Sequence, residues 1–172
     1  MISVYQAEHI ILNNVKSLPF EMVPLSQAYG RLLREHIRND RDQPSFDKTL
    51  MDGIAIHSSS YEKGVREFPI EKTIAAGDKP YKLKNPNNCV EIMTGAVLPL
   101  GCNAVVPVEQ VAIEGDIASL KGWTLVKQRQ NIRFKGSDSK KGQLLIKEPC
   151  RILTPHIGIL ADRKSTRLNS SH

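Results

Sequence analysis

Aromatic side chains and clustered basic residues are both scarce in this sequence, which argues against nucleic-acid binding. Phe, Trp and Tyr make up 5% of the 172 residues, and no Lys/Arg block is longer than a pair such as Lys140-Lys141. A nucleic-acid-binding surface needs a concentrated basic face, commonly with aromatic side chains on which bases stack. We therefore interpret the net charge of +6 as a solvated surface with some attraction for small anions.

Cysteines and long apolar runs are also lacking. Cys89, Cys102 and Cys150 are far apart and form no Cys-x-x-Cys pair, so neither a zinc site nor a disulfide framework is expected. No signal-peptide pattern and no long apolar run occurs, so we predict no membrane partner and a cytoplasmic location. Apolar residues amount to 40%, which is enough for the cores of one or two small domains.

The most informative stretch is 42–53, which places three carboxylates close together in the chain, at Asp42, Asp47 and Asp52. Pro44 fixes its own φ and lacks an N–H, so the first half is predicted to be an extended loop or turn. Asp52-Gly53 predicts a turn, because glycine reaches positive φ without steric cost. The apolar alternation that follows predicts a strand. Asp-rich turns usually carry solvated carboxylates, and the spacing alone leaves that purely structural interpretation open.

Two other loops carry groups suited to anions. Residues 93–96 end an apolar strand at a glycine turn, where the Thr94 hydroxyl and free backbone N–H groups could bind an anion, although an ordinary strand-to-turn transition has the same pattern. In 131–138, Arg133 and Lys135 offer charge-assisted hydrogen bonds to phosphate-like oxygens. Gly136 lets the backbone approach a ligand, and Asp138 could hold Mg²⁺ or orient a positive group.

Four short motifs follow one another along residues 1–161. They are Asp42-x-Pro-x-Phe46-Asp47-x-Thr49-x-Met51-Asp52-Gly53, Ile92-Met93-Thr94-Gly95-Ala96, Asn131-Ile132-Arg133-x-Lys135-Gly136-x-Asp138 and Leu153-Thr154-Pro155-x-x-Gly158. In this order they resemble the molybdopterin molybdenumtransferases, the family that includes the gephyrin E domain. Any one motif is weak evidence, whereas four in register form a specific match.

The resemblance implies an enzyme that inserts molybdate into adenylylated molybdopterin with release of AMP, using a divalent cation such as Mg²⁺. It implies a homodimer and a possible partner in molybdopterin adenylyltransferase. The residues it points to are Asp52, Thr94 and Asp138 as catalytic groups, Asp52 and Asp138 as metal ligands, and Arg133, Lys135 and Gly136 as cofactor-binding groups. The alternatives are a non-catalytic binding or dimerisation module, and a non-specific anion binder motivated only by the net charge.

The sequence departs from the family pattern at four positions. Leu50 stands where alanine is usual and Ile54 where tyrosine is usual. Phe134 replaces a usual basic residue and Ser137 a usual acid. The last two departures reduce the charge of the 131–138 loop, but they leave the carboxylates of Asp52 and Asp138 in place.

Helical spacing is confined to the two ends of the sequence. Ser3 and Gln6 have capping-box spacing at the start of an apolar helical pattern. Thr154-Pro155 has the form of another helix start, with threonine as the cap. A further helix is predicted from Ser26, with an inward face of Ala28, Tyr29, Leu32, Leu33 and Ile37.

Short segments rich in Val and Ile predict strands at 54–57, 69–75, 89–93, 104–113, 117–120 and 124–128, with a hairpin turn at 114–116. Segments 143–146 and 151–153 predict a final strand pair. The fold class is therefore α+β. We expect a helical, stalk-like portion from 1–38 and 143–161, and an inserted, mainly antiparallel β lobe from 39–142.

The end of the sequence changes character at residue 162. The polar stretch 162–172 follows an apolar run and resembles a translated sequencing adapter, so we set it aside from fold reasoning. Without it the net charge is +4, because the stretch adds three cations and one anion. We expect the natural protein to continue past Ala161 into an α/β domain and a C-terminal β domain, since the family enzymes are much longer.

Overall fold

The computed structural model describes residues 2–16 and 18–163 and the backbone of Arg167–Ser171. The chain divides into two compact units, one formed by residues 1–40 and 142–172 and the other by 41–141. Its helices are α1 (Val4–Asn14), α2 (Ser58–Glu62) and α3 (Thr154–Asp162). Its strands are β1 (Glu21–Pro24), β2 (Leu32–Leu33), β3 (Ile37–Arg38), β4 (Lys48–Thr49), β5 (Gly53–Ile56), β6 (Glu67–Ile74), β7 (Cys89–Ile92), β8 (Ala104–Pro107), β9 (Val111–Glu114), β10 (Ile117–Leu120), β11 (Ile132–Arg133), β12 (Leu144–Ile146), β13 (Cys150–Arg151) and β14 (Arg167–Ser171).

In the unit formed by 1–40 and 142–172, α1 begins at the predicted capping box. The Ser3 hydroxyl accepts from the Gln6 N–H, and the Gln6 side chain accepts from the Ser3 N–H. No residue of α1 is buried. The core of the unit lies elsewhere and joins β2, β3 and β12 to α3 through Ala28, Leu33, Ile37, Ile146, Ile152 and Leu160. Arg163, at the end of α3, is nearly buried and pairs with Asp40.

The predicted helix from Ser26 is wrong. Residues 25–27 form one 3-10 turn, and Gly30 then takes a φ of +79°. Its N–H donates to Ile152 O at 2.8 Å, and β2 pairs with β13. Strand pairing to a distant segment thus replaces the helix that the local spacing favoured, as tertiary contacts commonly override propensity.

Three strand predictions also need correction. The predicted strand at 104–113 forms as two strands, β8 and β9, separated by a 3-10 turn at Val108–Gln110. The segments near 143–146 and 151–153 form strands, but β12 pairs with β3 and β13 with β2, so they are not partners of each other. The predicted strand at 124–128 does not form. Thr124 instead closes a turn, with its N–H bonded to Lys121 O and its hydroxyl to Gln110 O.

The unit of residues 41–141 is built on a six-stranded sheet with the order β8-β5-β7-β6-β10-β9. All neighbours are antiparallel except β6 and β7, which agrees with the predicted fold class. The hairpin between β9 and β10 turns at Gly115, which has a φ of +59°. The predicted hairpin is therefore confirmed.

Strand β5, which lies between β8 and β7, is buried on both faces of this sheet. Ile54 and Ile56 pack into one cluster with Phe68, while Ala55 packs into a second with Val90. This alternation follows from the two-residue period of a strand. A separate two-stranded ribbon pairs β4 with β11, with Thr49 opposite Ile132 and Lys48 opposite Arg133.

Candidate active-site residues

Asp52 and Thr94 are brought into direct contact although they are 42 residues apart in the sequence. Asp52 Oδ1 accepts two hydrogen bonds from Thr94, one from the backbone N–H and one from the hydroxyl, each at 2.6 Å. The Thr94 side-chain bond, followed by the backbone bond, lowers the pKa of Asp52 below its ordinary value against a small opposing effect of burial. Both residues are exposed to solvent, so a charged carboxylate faces outward at this corner.

Local backbone geometry fixes both partners. Asp52 directly precedes β5, and its carbonyl accepts from Val108 N–H at 2.9 Å. Thr94 lies in a four-residue turn closed by Ala96 N–H on Met93 O at 3.1 Å. Gly95, the third residue of that turn, has a φ of +85°, the conformation for which a type II turn requires glycine.

The second pair of predicted residues, Arg133 and Asp138, forms a two-point ion pair. Arg133 Nε donates to Asp138 Oδ1 at 2.9 Å, and Nη2 lies 2.7 Å from Oδ2. Such fork-to-fork geometry fixes direction as well as distance. Of the two roles considered for Asp138, the structure shows the orientation of a positive group.

The 131–138 loop is held by the carboxylates near the start of the lobe. Asp47 Oδ1 accepts from Lys135 N–H at 2.7 Å, and Asp42 Oδ2 lies 3.7 Å from Lys135 Nζ. Gly136 takes a φ of +70°, and a side chain there would contact the Asp42 carboxylate at 3.5 Å. Asp42 and Asp47, two of the three carboxylates in the 42–53 stretch, therefore support the 131–138 loop. The sequence spacing did not reveal this role.

Both pairs are attached to the ribbon of β4 and β11. Thr49 of β4 bonds the turn of Thr94 through its backbone, while Arg133 is part of β11 itself. A cleft of about 330 Å³ lies beside Asp138 and is lined also by Arg41, Asp42, Gln43, Pro44, Ser45, Phe46 and Lys48. Asp52 and Thr94 are not among its lining residues.

The carboxylates of the site offer the kind of ligand that Mg²⁺ uses. This ion usually keeps several waters and binds through one or two carboxylates together with substrate phosphates. Asp52 fits, because Oδ1 is fixed by Thr94 while Oδ2 accepts no hydrogen bond from the described residues. Asp138 is already paired, because Arg133 contacts each of its two oxygens, and its predicted role as a metal ligand stays a prediction. The described residues do not bring three or more His, Cys, Asp or Glu side chains together as a metal cluster.

Comparison with known proteins identifies the family. The family model described as MoeA N-terminal region (domain I and II) matches residues 2–163. The chain belongs to the MoeA N-terminal family. The resemblance inferred from the four motifs is thereby confirmed, and the match covers both compact units.

The relatives of this MoeA N-terminal chain are longer proteins. A molybdopterin molybdenumtransferase from Synechocystis is 32% identical over 98% of this chain and 43% of the relative. One from Staphylococcus aureus (strain Mu50) is 34% identical over 93% and 39%. A crystal structure of a molybdopterin biosynthesis MoeA protein from Pyrococcus horikoshii OT3 superposes with a TM-score of 0.84 at 27% identity, covering 97% of this chain and 45% of that one. The chain thus spans about two fifths of the length of these curated relatives.

The described residues contain no helix that is long and apolar enough to cross a membrane.

Proposed function

We propose that this MoeA N-terminal chain is part of an enzyme that inserts molybdate into adenylylated molybdopterin and releases AMP. Family membership supports the pathway, and the Asp52–Thr94 contact supports the chemistry. Two hydrogen bonds on one oxygen keep the carboxylate charged and aimed, at a corner where a solvated turn residue needs no such restraint. That contact is the single observation on which the assignment rests most heavily.

Asp52 and Thr94 act as one unit in this proposal. Thr94 orients the carboxylate, and Asp52 presents Oδ2 to the reacting phosphate end of the substrate. A divalent cation held there with waters and substrate phosphates would neutralise charge as the phosphoanhydride bond breaks. Asp138 is paired with Arg133 through both of its oxygens, so we assign Asp138 to positioning Arg133.

Arg133, Lys135 and Gly136 form the substrate-binding part of the proposed site. The side chain of Arg133 is 46% exposed, and its Nε–H and one Nη2–H donate to Asp138. Three of its five N–H donors remain for phosphate or molybdate oxygens. Lys135 contributes a second, more loosely held cation, and the left-handed Gly136 keeps the loop backbone close to Asp42.

The chain of 172 residues is not expected to complete the reaction alone. It matches about two fifths of its relatives, and a homodimer with downstream domains would supply the rest of the cleft. Holding reactants in productive geometry accounts for about 7–11 kcal/mol of a barrier. One wall of a cleft therefore retains very little rate. Molybdopterin adenylyltransferase, which makes the adenylylated substrate, is the proposed partner.

The test is complementation of a molybdenum-insertion mutant. The gene restored past Ala161 should rescue growth, whereas residues 1–161 alone should not. Asp52→Ala in the restored protein should lower the insertion rate on the order of 10²-fold or more, as the loss of an electrostatic group at a reacting centre commonly does. Asp116→Ala, which changes an exposed carboxylate in the β9–β10 turn, is the matched control.

The outcomes separate the candidate functions. Rescue by residues 1–161 alone would contradict the need for downstream domains. Unchanged insertion in Asp52→Ala, with dimerisation intact, would return Asp52 to the role of a turn residue. If the restored gene does not rescue growth at all, a non-catalytic binding or dimerisation module becomes the better description.

A further inference from the structure

The peptide group between Met93 and Thr94 is bound at both of its ends by the same loop. At one end, the Thr49 hydroxyl donates to Met93 O at 2.9 Å. At the other end, the Thr94 N–H donates to Asp52 Oδ1 at 2.6 Å. Thr49 and Asp52 are three residues apart and bind opposite sides of the 93–94 peptide group.

Planarity makes these two bonds interdependent. In a trans peptide the C=O and the N–H lie in one plane and point in opposite directions, and rotation about the bond between them is strongly restricted. A donor that fixes the direction of Met93 C=O therefore also fixes the direction in which Thr94 N–H points. That N–H meets Asp52 Oδ1, which the Thr94 hydroxyl also binds.

Thr49 is placed to exert this control without contacting the outer surface of the site. It is 1% exposed. Its N–H donates to Ala96 O at 3.1 Å, and its own carbonyl accepts from Gly95 N–H at 2.9 Å. These two backbone bonds hold the turn against β4 whatever the side chain is. Of the groups of Thr49, only the hydroxyl acts on the 93–94 peptide, where it shares Met93 O with the Ala96 N–H.

We propose that Thr49 is a positioning residue that aims the Asp52 carboxylate by orienting the peptide group of Thr94. The role requires the hydroxyl, because Thr49 is 1% exposed and its hydroxyl reaches the Met93 carbonyl from inside the lobe. Its role in molybdate insertion rests on the proposed function, but the coupling between Thr49 and Asp52 does not.

The coupling is tested by NMR on the 172-residue chain at neutral pH, through the scalar coupling between Thr94 N and the Asp52 carboxyl carbon across their hydrogen bond. This scalar coupling and the exchange rate of the Thr94 N–H are measured in the wild type and in Thr49→Val, which keeps the shape and removes the hydroxyl. In Thr49→Val the scalar coupling should fall and the N–H should exchange several-fold faster. Thr49→Ser, which keeps the hydroxyl, should match the wild type in both measurements.

Thr124→Val is the matched control for simple loss of a buried hydroxyl bond. Thr124 is 4% exposed, and its hydroxyl also donates to a backbone carbonyl at 2.9 Å, that of Gln110. Thr124→Val should leave the scalar coupling between Thr94 N and the Asp52 carboxyl carbon unchanged. A scalar coupling that is equal in Thr49→Val and the wild type would overturn the proposal, as would an equal loss in Thr124→Val.

A second measurement keeps the proposal testable if Thr49→Val does not fold. In Asp52→Asn, which keeps the shape and removes the charge, the Met93 carbonyl ¹³C resonance and the Thr49 hydroxyl proton resonance should both move, because the two ends of the peptide respond together. Met93 and Thr49 resonances that stay in place contradict the coupling. In the restored longer protein, Thr49→Val should lower kcat more than it changes KM. If Asp52→Ala leaves insertion unchanged there, the proposed function fails while the NMR result still stands.

Discussion

Gly53 is the position where we expect a single methyl group to do the most damage. The strand β5 begins at this glycine, between β7 and β8, and Gly53 has a φ of +148°. A Cβ built there lies 2.0 Å from Val106 O and 2.8 Å from Val108 N. Both are backbone atoms, so no side-chain rotation relieves the overlap in Gly53→Ala.

The loss of stability in Gly53→Ala follows from the distance by which β5 and β8 must separate. Ordinary contact begins near 3.4 Å, so the start of β5 has to retreat from β8 by about 1.4 Å. The bond from Val108 N–H to Asp52 O, now 2.9 Å, is then too long to persist. One or two lost ladder bonds with buried groups left unpaired cost about 2–4 kcal/mol, and the positive φ adds about 1–2 kcal/mol. We expect Gly53→Ala to lower the free energy of unfolding by roughly 3–6 kcal/mol.

The assay is urea unfolding followed by circular dichroism, with Gly64→Ala as the control. Gly64 also has a positive φ, +93°, but a Cβ there meets nothing within 4 Å, so it reports backbone strain without collision. Gly53→Ala should cost at least about 2 kcal/mol more than Gly64→Ala, the excess being the lost bonds. Equal losses in the two variants would refute the steric reasoning.

Two further predictions concern Glu71 and the cysteines. Burial tends to raise the pKa of Glu71, but hydrogen bonds from the backbone and side chains of residues 81–88 outweigh it and lower the pKa. The charged Glu71 therefore contributes stability that is present above the ordinary glutamate pKa and is lost as pH falls through the pKa of the folded state. Acid unfolding curves should show Glu71→Gln about 1–3 kcal/mol less stable than the wild type at pH 7, and less sensitive to acid. Glu67→Gln changes an exposed residue on the same strand and should match the wild type. Iodoacetamide with peptide mapping at pH 8 should label Cys150 but not Cys89 or Cys102, because burial raises the pKa of both buried thiols to about 12; labelling of all three in the folded chain would contradict this.

Much of the β lobe could be predicted from the sequence because its signals are local. Alternating Val and Ile and a Gly-Asp turn define strands and a hairpin without reference to distant residues. The predicted helix after Ser26 is wrong because Leu32 and Leu33 fit a helical pattern with the residues around them but form a strand. The partners of that strand are Cys150 and Arg151, over a hundred residues away. No local pattern carries that information.

The candidate site was also predictable in its local motifs and not in its long-range contacts. The motifs located Asp52, Thr94, Arg133 and Asp138, but spacing could not show which carboxylate binds which partner. The Arg133–Asp138 pair shows one partner of Asp138 that the spacing of the motif did not specify. Thr49 was part of a motif, and the only available signal for its role was a threonine three residues before the aspartate.

The ribbon of β4 and β11 can form only after both strands have been synthesised. Thr49 pairs with Ile132, and Asp47 binds the backbone of Lys135 across 88 residues. A ribosome that adds about 5–20 residues per second needs roughly 4–18 seconds to travel from the first half of this ribbon to the second. During that interval Asp52 already exists but has no completed ribbon beneath it. Until residue 135 leaves the ribosome, β4 therefore has no β11 with which to pair.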